Sequence, residues 1–161
     1  MSEPAPRPTS TSPAAGTSER SRAKALLAAT AAVLAYGIVL LVAFDPGVEM
    51  LDADELARSD DANPFLIADL FFPILYGIVL PLAMWRFSAA RWARIAALLF
   101  VVAGMIDWAE NILLLTATDS PSEAGVDAGH VAGWVNVVLF TAAALPGLML
   151  LVSAIRLLRA R

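Results

Sequence analysis

The sequence predicts an all-α integral membrane protein, built as a bundle of four antiparallel transmembrane helices with both termini in the cytoplasm. Three observations lead to this expectation. Hydrophobic residues make up 59% of the chain, and its mean hydropathy is +0.71. Four apolar segments reach the ~20 residues that cross a hydrocarbon core ~30 Å thick. The basic residues fall almost entirely on one side of those segments, which gives the bundle an orientation.

The four apolar segments lie at about residues 25–44, 66–85, 95–117 and 130–155. The first, ALLAATAAVLAYGIVLLVAF, carries no charge on any face, whereas a helix of a soluble bundle needs a polar outer face. The segments are continuous rather than alternating, which argues against a transmembrane β-barrel. The chain has no cysteine, so disulfides, thiolate metal sites and cysteine catalysis are excluded.

The distribution of basic residues predicts which side of the membrane each loop faces. Of the basic residues, Arg58 alone lies on one side of the proposed spans. The acids are concentrated on that same side, in the segments between spans one and two and between spans three and four. The positive-inside rule therefore predicts a multi-pass protein of the cell membrane with cytoplasmic termini. The basic residues on the other side are Arg7, Arg20, Arg22, Lys24, Arg86, Arg91, Arg94, Arg156, Arg159 and Arg161.

The segments outside the spans have distinct compositions. Residues 1–24 are rich in Pro, Ser and Thr and have too few apolar residues to offset the entropy of ordering, so we expect a disordered cytoplasmic tail before a first helix that is retained as an anchor. Residues 45–65 form an acidic outer loop that we expect to be solvated, and residues 156–161 a short basic C-terminus. The alanine-rich helices and the single lysine also suggest a bacterial, GC-rich genome.

Polar residues interrupt the third span at GMIDWAENILLL, residues 104–115. Asp107, Glu110 and Asn111 are spaced i, i+3 and i+4, so they share one face of the helix. Asp69 and Tyr76 share a face of the second span in the same way, with Pro73 between them freeing a backbone carbonyl one turn above it. Both sets lie at mid-depth or in the outer half of the membrane, and the inner half of the spans is apolar.

The fourth span contributes two more polar residues at comparable depth, His130 near its outer end and Asn136 nearly two turns below. Gly129 and Gly133 form a stripe of small residues that would let a neighbouring helix approach closely. We therefore expect one shared polar site, for ligand binding or a proton pathway. Its members are Asp69, Tyr76, Asp107, Glu110, Asn111, His130 and Asn136.

The acids of this site need an explanation, because a charged Asp at the centre of a span costs roughly 2.5–3.5 kcal/mol on insertion scales. The cytoplasmic basic residues cannot reach the outer half of the membrane. The acids are then protonated, or line a water-filled cavity, or hold a cation that a ligand or metal supplies. A purely structural alternative also stands, in which they only hydrogen-bond between helices at ~0.6 kcal/mol each.

Known sequence motifs do not identify the chemistry of this site. The third span has no histidine at the Glu-x-x-His spacing of a di-metal site, although Asp69, Asp107, Glu110 and His130 could together hold one hard cation. We assign no metal or other cofactor. Phosphate-binding, zinc-protease and serine-hydrolase motifs are absent from the sequence. The basic residues are few and explained by topology, so nucleic acid is not an expected partner.

In helix number, and in placing acids on separate helices, the chain is similar to the EXPERA group of sterol isomerases and sterol- or lipid-binding receptors. The acids that carry this similarity are Asp69 on one span and Asp107 and Glu110 on another. It is a similarity of architecture and does not extend to a shared motif. It implies a membrane cavity open to a lipid-like molecule.

Three functions compete at this point. The first is a cavity that binds a small cationic or amphipathic ligand, or conducts protons or ions. The second is a membrane enzyme in which Asp107 or Glu110 performs acid/base chemistry on a lipid-like substrate, assisted by His130 or Tyr76. The third is an accessory or assembly subunit with a structural polar cluster. Expected partners are the lipid bilayer, a small ligand or cation, and a second copy or a larger membrane protein.

Overall fold

Four long apolar helices make up most of the computed structural model, which describes residues 13–44 and 46–160. Among these residues the chain is all-helical. The first span is the apolar part, Gly16–Ala43, of the helix Pro13–Ala43. The second, third and fourth spans are Ala62–Phe87, Arg91–Asp119 and Glu123–Arg159. The four spans predicted from hydropathy are thus present, and each helix extends beyond the apolar segment that predicted it.

The helix of the first span begins at Pro13, well before residue 25. Its polar N-terminal part is ordered by contacts with the rest of the bundle, because Ala23 and Leu26 are buried and the Arg20 guanidinium donates to the Ala160 carbonyl at 2.7 Å. Part of the expected disordered tail, residues 13–24, is therefore helical. The remainder, residues 1–12, lies outside the described residues.

The second span is a composite of short segments rather than one regular helix. It consists of Ala62–Asp69, Phe72–Ile74, a π-helical turn at Leu75–Val79, and Leu80–Phe87. Pro73 lies just after the first break, where its missing N–H cannot continue the helical hydrogen bonding. Side chains of the neighbouring spans satisfy the backbone there, since the Tyr36 hydroxyl donates to the Ala68 carbonyl and the Trp108 indole to the Leu70 carbonyl, at 2.8 and 2.7 Å.

Glycines set the contacts of the third span with its neighbours. Gly77 of the second span faces Gly104, and a Cβ added at Gly104 would lie 2.9 Å from the Gly77 Cα, so any side chain here would push the two backbones apart. On the fourth span, Gly129 packs against Leu114 and Gly133 against the Glu110 carboxyl group. The glycine stripe of the fourth span is therefore occupied within the chain.

Two apolar clusters enclose the polar residues of the spans. The inner cluster contains large side chains of the second, third and fourth spans, among them Tyr76, Leu80, Met84, Phe100 and Leu150. The outer cluster joins the second, third and fourth spans to the loop after the first, through Val48, Leu56, Phe65, Leu66, Leu114 and Val126. Asp69 and Glu110 lie about one helical turn inward of Leu66 and Leu114, between the two clusters.

The outer loop is folded rather than fully solvated. It forms a 3₁₀ turn at Pro46–Met50 and a short helix at Ala53–Arg58, whose N-terminus is closed by a capping box of Asp52 and Glu55. Val48 and Leu56 are buried against the outer ends of the spans. The solvated-loop expectation was wrong because apolar residues among the acids give the loop one face to bury. Asp54 and Arg58 remain on the exposed face, where they form an ion pair at 3.2 Å.

Candidate ligand-binding cavity

A chain of hydrogen bonds runs across three spans at the level of the third-span acids. The Asn111 amide donates to Asp69 Oδ2 at 2.7 Å and contacts Asp107 Oδ1 at 3.5 Å. The Tyr76 hydroxyl donates to Asp107 Oδ2 at 2.7 Å and lies 3.1 Å from Asn136 Oδ1. Asp69, Asn111, Asp107, Tyr76 and Asn136 therefore form one connected polar layer that links the second, third and fourth spans.

The close approach of the second and third spans makes this layer possible. Gly77 and Gly104 bring the two backbones together, and Tyr76 and Asp107 stand beside this crossing. Tyr76 belongs to the π-helical turn, a local widening of the helix that is frequent at functional sites. Aromatic rings pack against Tyr76 on the inner side, with ring centroids of Phe100 and Phe140 at 6.5 and 5.2 Å. Aromatic side chains therefore close the inner side of the polar layer.

A cavity of about 480 Å³ adjoins the polar layer. The first, second, third and fourth spans and the outer loop all contribute to its wall. Its polar lining carries four carboxyl groups, one imidazole and one amide, and no lysine or arginine lines it among the described residues. These polar residues are Glu49, Asp69, Asp107, Glu110, His130 and Asn136.

Glu110 differs from the other acids of the third span in having no partner. Its side chain is 6% exposed and lines the cavity, yet within residues 13–44 and 46–160 no hydrogen bond or ion pair reaches its carboxyl group. The carboxyl lies directly against Gly133, where an added Cβ would overlap it. A buried carboxylate without a donor or a counter-charge is costly, so this group needs a proton, water or a cation.

Two further acceptors near Glu110 also lack partners. Asn111 Oδ1 is buried without a hydrogen bond, because the amide nitrogen of the same side chain is committed to Asp69 and Asp107. His130 Nε2 is likewise buried and unpaired on the fourth span. The cavity wall thus carries two unpartnered groups, Glu110 and His130 Nε2, while Asn111 Oδ1 is unpaired behind the lining.

Glu49 is a member of the cavity lining that the sequence did not indicate. It lies in the 3₁₀ turn of the outer loop, which folds over the spans and brings this carboxyl group to the cavity. Burial, together with the nearby Asp69 carboxylate, raises the pKa of Glu49 from the ordinary 4.5 to about 7. The available signal was the position of Glu49 directly after Val48, a buried apolar residue in an otherwise acidic segment.

The seven residues expected to share a site lie in one region, although they do not all face the cavity. Asp69, Asp107, Glu110, His130 and Asn136 line it. Tyr76 and Asn111 are fully buried and stand behind the lining as hydrogen-bond partners of Asp107. No group of three or more His, Asp and Glu side chains among the described residues has the geometry to hold a metal ion.

The cavity opens sideways, between the first and fourth spans. Leu41 of the first span, Met50 of the outer loop, and Trp134 and Val137 of the fourth span all line it and are all more than half exposed on the surface. These exposed lining residues are apolar, while the carboxyl groups lie deeper. The mouth therefore has the character of the surrounding apolar surface, and the interior is acidic.

Comparison of the chain with protein-family models, with curated proteins and with solved structures finds no match. The assignment of function depends on the geometry of the cavity itself.

Proposed function

We propose that this protein binds a small amphipathic cation in the acid-lined cavity, which the ligand enters between the first and fourth spans. One observation carries the proposal: Glu49, Asp69, Asp107 and Glu110 line a cavity to which no described lysine or arginine contributes. A protein that buries several carboxyl groups in a membrane without an internal counter-charge has a site complementary to a positive charge from outside.

The position of Glu110 favours ligand binding over a purely structural role for the acids. Asp69 and Asp107 accept hydrogen bonds from Asn111 and Tyr76, so interhelical hydrogen bonding is sufficient to account for them. It does not account for Glu110, which is buried at the cavity wall with no partner among the described residues. A cation bound beside Glu110 would offset the cost of burying its charge.

The apolar mouth favours an amphipathic ligand over a simple ion. Leu41, Trp134 and Val137 flank the opening and would contact a hydrocarbon body, while the ammonium group of the ligand reaches the carboxyl groups below. Binding sites of small molecules combine largely apolar walls with a few convergent polar groups in this way. An inorganic ion would gain nothing from such a mouth.

The inner cluster favours binding over conduction. Below the polar layer the spans are packed with aromatic and aliphatic side chains, including Phe100 and Phe140, whose ring centroids are 5.3 Å apart. The described polar side chains of the site stop at Tyr76 and Asn136. A pathway for protons or ions would need polar groups or water beyond this level.

The alternatives have less support. For the enzyme, the pair of acid/base groups in direct contact among the described residues of the site is Tyr76 and Asp107, and Tyr76 does not face the cavity. For the accessory subunit, the glycines proposed as an association surface are filled by Leu114 and Glu110 of the same chain.

We further propose that the four spans are antiparallel, with both termini in the cytoplasm and the cavity in the outer half of the bundle. The sorting of basic residues supports this orientation. The hydrogen bond from Arg20 to Ala160 joins the start of the first span to the end of the fourth, which supports an arrangement with both ends on the same side.

The proposal is tested with the full chain in phosphatidylcholine nanodiscs, with decylammonium as probe and decanol as its neutral counterpart. We expect saturable binding of decylammonium above its partition into empty nanodiscs, and only partition of decanol. Glu110→Gln should weaken the binding at least about tenfold, equal to about 1.4 kcal/mol. The exposed Glu123→Gln is the matched control, since it makes the same chemical change and the same change in net charge. Equal binding of decanol and decylammonium would contradict the proposal.

A further inference from the structure

Two unpartnered groups at the cavity wall can accept hydrogen bonds from a ligand. Glu110 offers carboxylate oxygens, and His130 an unpaired Nε2 that accepts in one neutral tautomer. The Tyr76 hydroxyl and the Asn111 amide of the polar layer are already committed to carboxylates. A complementary ligand must therefore bring hydrogen-bond donors as well as positive charge.

Among organic cations, the number of N–H donors separates two modes of recognition. A primary ammonium group has three N–H donors and pairs directly with carboxylates. A quaternary ammonium group has none and is bound instead by the faces of aromatic rings. The acceptors around Glu110 therefore match a primary ammonium group.

The phenylalanines of the lining are already packed against other aromatic rings. Phe72 is stacked on Tyr36 with a centroid distance of 6.3 Å and also meets the edge of Tyr76. Phe65 packs against Phe44. Among the aromatic residues that line the cavity in the described part of the chain, only Trp134 contacts no other aromatic ring, and it is exposed at the mouth.

From the unpartnered Glu110 carboxyl and the unpaired His130 Nε2 at the cavity wall, we infer that the cavity selects long-chain primary amines over quaternary amines. This inference rests on the proposed function and names its ligand class. The ammonium group lies at the Glu110 carboxyl, and the hydrocarbon chain leaves between the first and fourth spans, past Leu41 and Val137. Asp107, one turn away on the same span, and Asp69 of the second span line the same cavity and contribute negative charge without exchanging their present donors.

The test is a series of decyl amines that differ only in N-methylation, measured by equilibrium dialysis against the protein in phosphatidylcholine nanodiscs at pH 8. The members are decylammonium and its mono-, di- and trimethyl derivatives, with three, two, one and no N–H donors. We expect affinity to fall with each methyl group, and the primary amine to bind at least ~10-fold more tightly than the quaternary amine, as expected when charge-assisted hydrogen bonds to a buried carboxylate are lost.

The same series with Glu110→Gln identifies the carboxyl group that carries the selectivity. We expect the primary amine to fall to the affinity of the quaternary amine in this variant, and to keep its advantage in Glu123→Gln. Equal or tighter binding of the quaternary amine by the unaltered protein would overturn the inference and leave the proposed function standing. Absence of saturable binding for every cation of the series would overturn both.

Discussion

At the scale of single residues, the feature that sets Glu110 apart is the glycine opposite it. Gly133 has no side chain, and the space this leaves on the fourth span is taken by the Glu110 carboxyl group. The neighbouring acids of the polar layer are held by Tyr76 and Asn111 instead. Gly133 therefore determines where the unpartnered carboxyl group lies, although it contributes no functional group itself.

Replacement of Gly133 by alanine should weaken ligand binding without removing a charge. The new Cβ would overlap the Glu110 carboxyl and turn it out of position, so we expect decylammonium affinity to fall about fivefold to tenfold, roughly 1–1.4 kcal/mol. The measurement is equilibrium dialysis in nanodiscs.

Gly129→Ala, about one turn away on the same span, is the matched control. Its Cβ would meet the flexible end of Leu114 at 2.9 Å and not the Glu110 carboxyl. We expect its thermal stability to change and its affinity for decylammonium to stay the same. An equal loss of affinity in both glycine variants would mean that Gly133 acts only through helix packing.

The sequence could predict the composition of the polar region but not the role of each residue in it. The i, i+3, i+4 spacing places Asp107, Glu110 and Asn111 on one helix face, and the structure has them there. Which of the three lacks a partner depends on the side chains that other spans place opposite them, Tyr76 for Asp107 and Gly133 for Glu110. Spacing along one helix contains no information about those pairings.

At the scale of secondary-structure elements, the outer loop has the largest effect on the cavity. Its 3₁₀ turn and short helix bury Val48 and Leu56 against the spans, and this packing carries Glu49 to the cavity wall. The sequence indicated a solvated segment because the segment is rich in acids. The apolar residues nevertheless have helical spacing within a segment too short for hydropathy to register.

The raised pKa of Glu49 predicts that the protein loses stability as the pH rises. The folded protein binds the Glu49 proton more tightly than the unfolded chain does, so the stabilising contribution is complete below about pH 4.5 and is lost as the pH rises to about 7. The contribution of Glu49 to the free energy of unfolding is at most about 3 kcal/mol, and the partial exposure of the side chain reduces it.

Thermal unfolding at pH 5 and pH 8 measures this contribution. We expect the fall in midpoint temperature between the two values to be smaller in Glu49→Gln than in the unaltered protein, and unchanged in Glu123→Gln. Asp69, Asp107, Glu110 and His130 face the same cavity, so the comparison between variants isolates Glu49 from them. The same pH dependence in all three proteins would contradict the prediction.

At the scale of the whole molecule, the first and fourth spans determine access to the cavity. They meet at one end, where Arg20 bonds to Ala160, and the cavity lies between them at the other, from Leu41 to Trp134. The number and approximate position of the spans could be predicted, because an uncharged run of ~20 residues has few alternatives to crossing a membrane. The lateral opening of the cavity could not be predicted, because it depends on how far the first and fourth spans separate along their length.

The predicted orientation is testable because the chain has no cysteine of its own. Ala57 in the outer loop and Ala89 between the second and third spans are both exposed, so Ala57→Cys and Ala89→Cys are matched probes. We expect a membrane-impermeant maleimide to label Ala57→Cys in intact cells and Ala89→Cys only after the membrane is opened. The reverse pattern would invert the bundle and place the cavity in the inner half.

The length of the fourth span has a consequence for how the cavity responds to its surroundings. Its 37 residues measure about 56 Å at 1.5 Å per residue, well beyond a hydrocarbon core of about 30 Å. Such a helix tilts more in a thin bilayer than in a thick one. The fourth span carries His130 and Gly133 at the cavity. We therefore expect a change in lipid chain length to alter the angle between the fourth and first spans, and with it the width of the mouth between them.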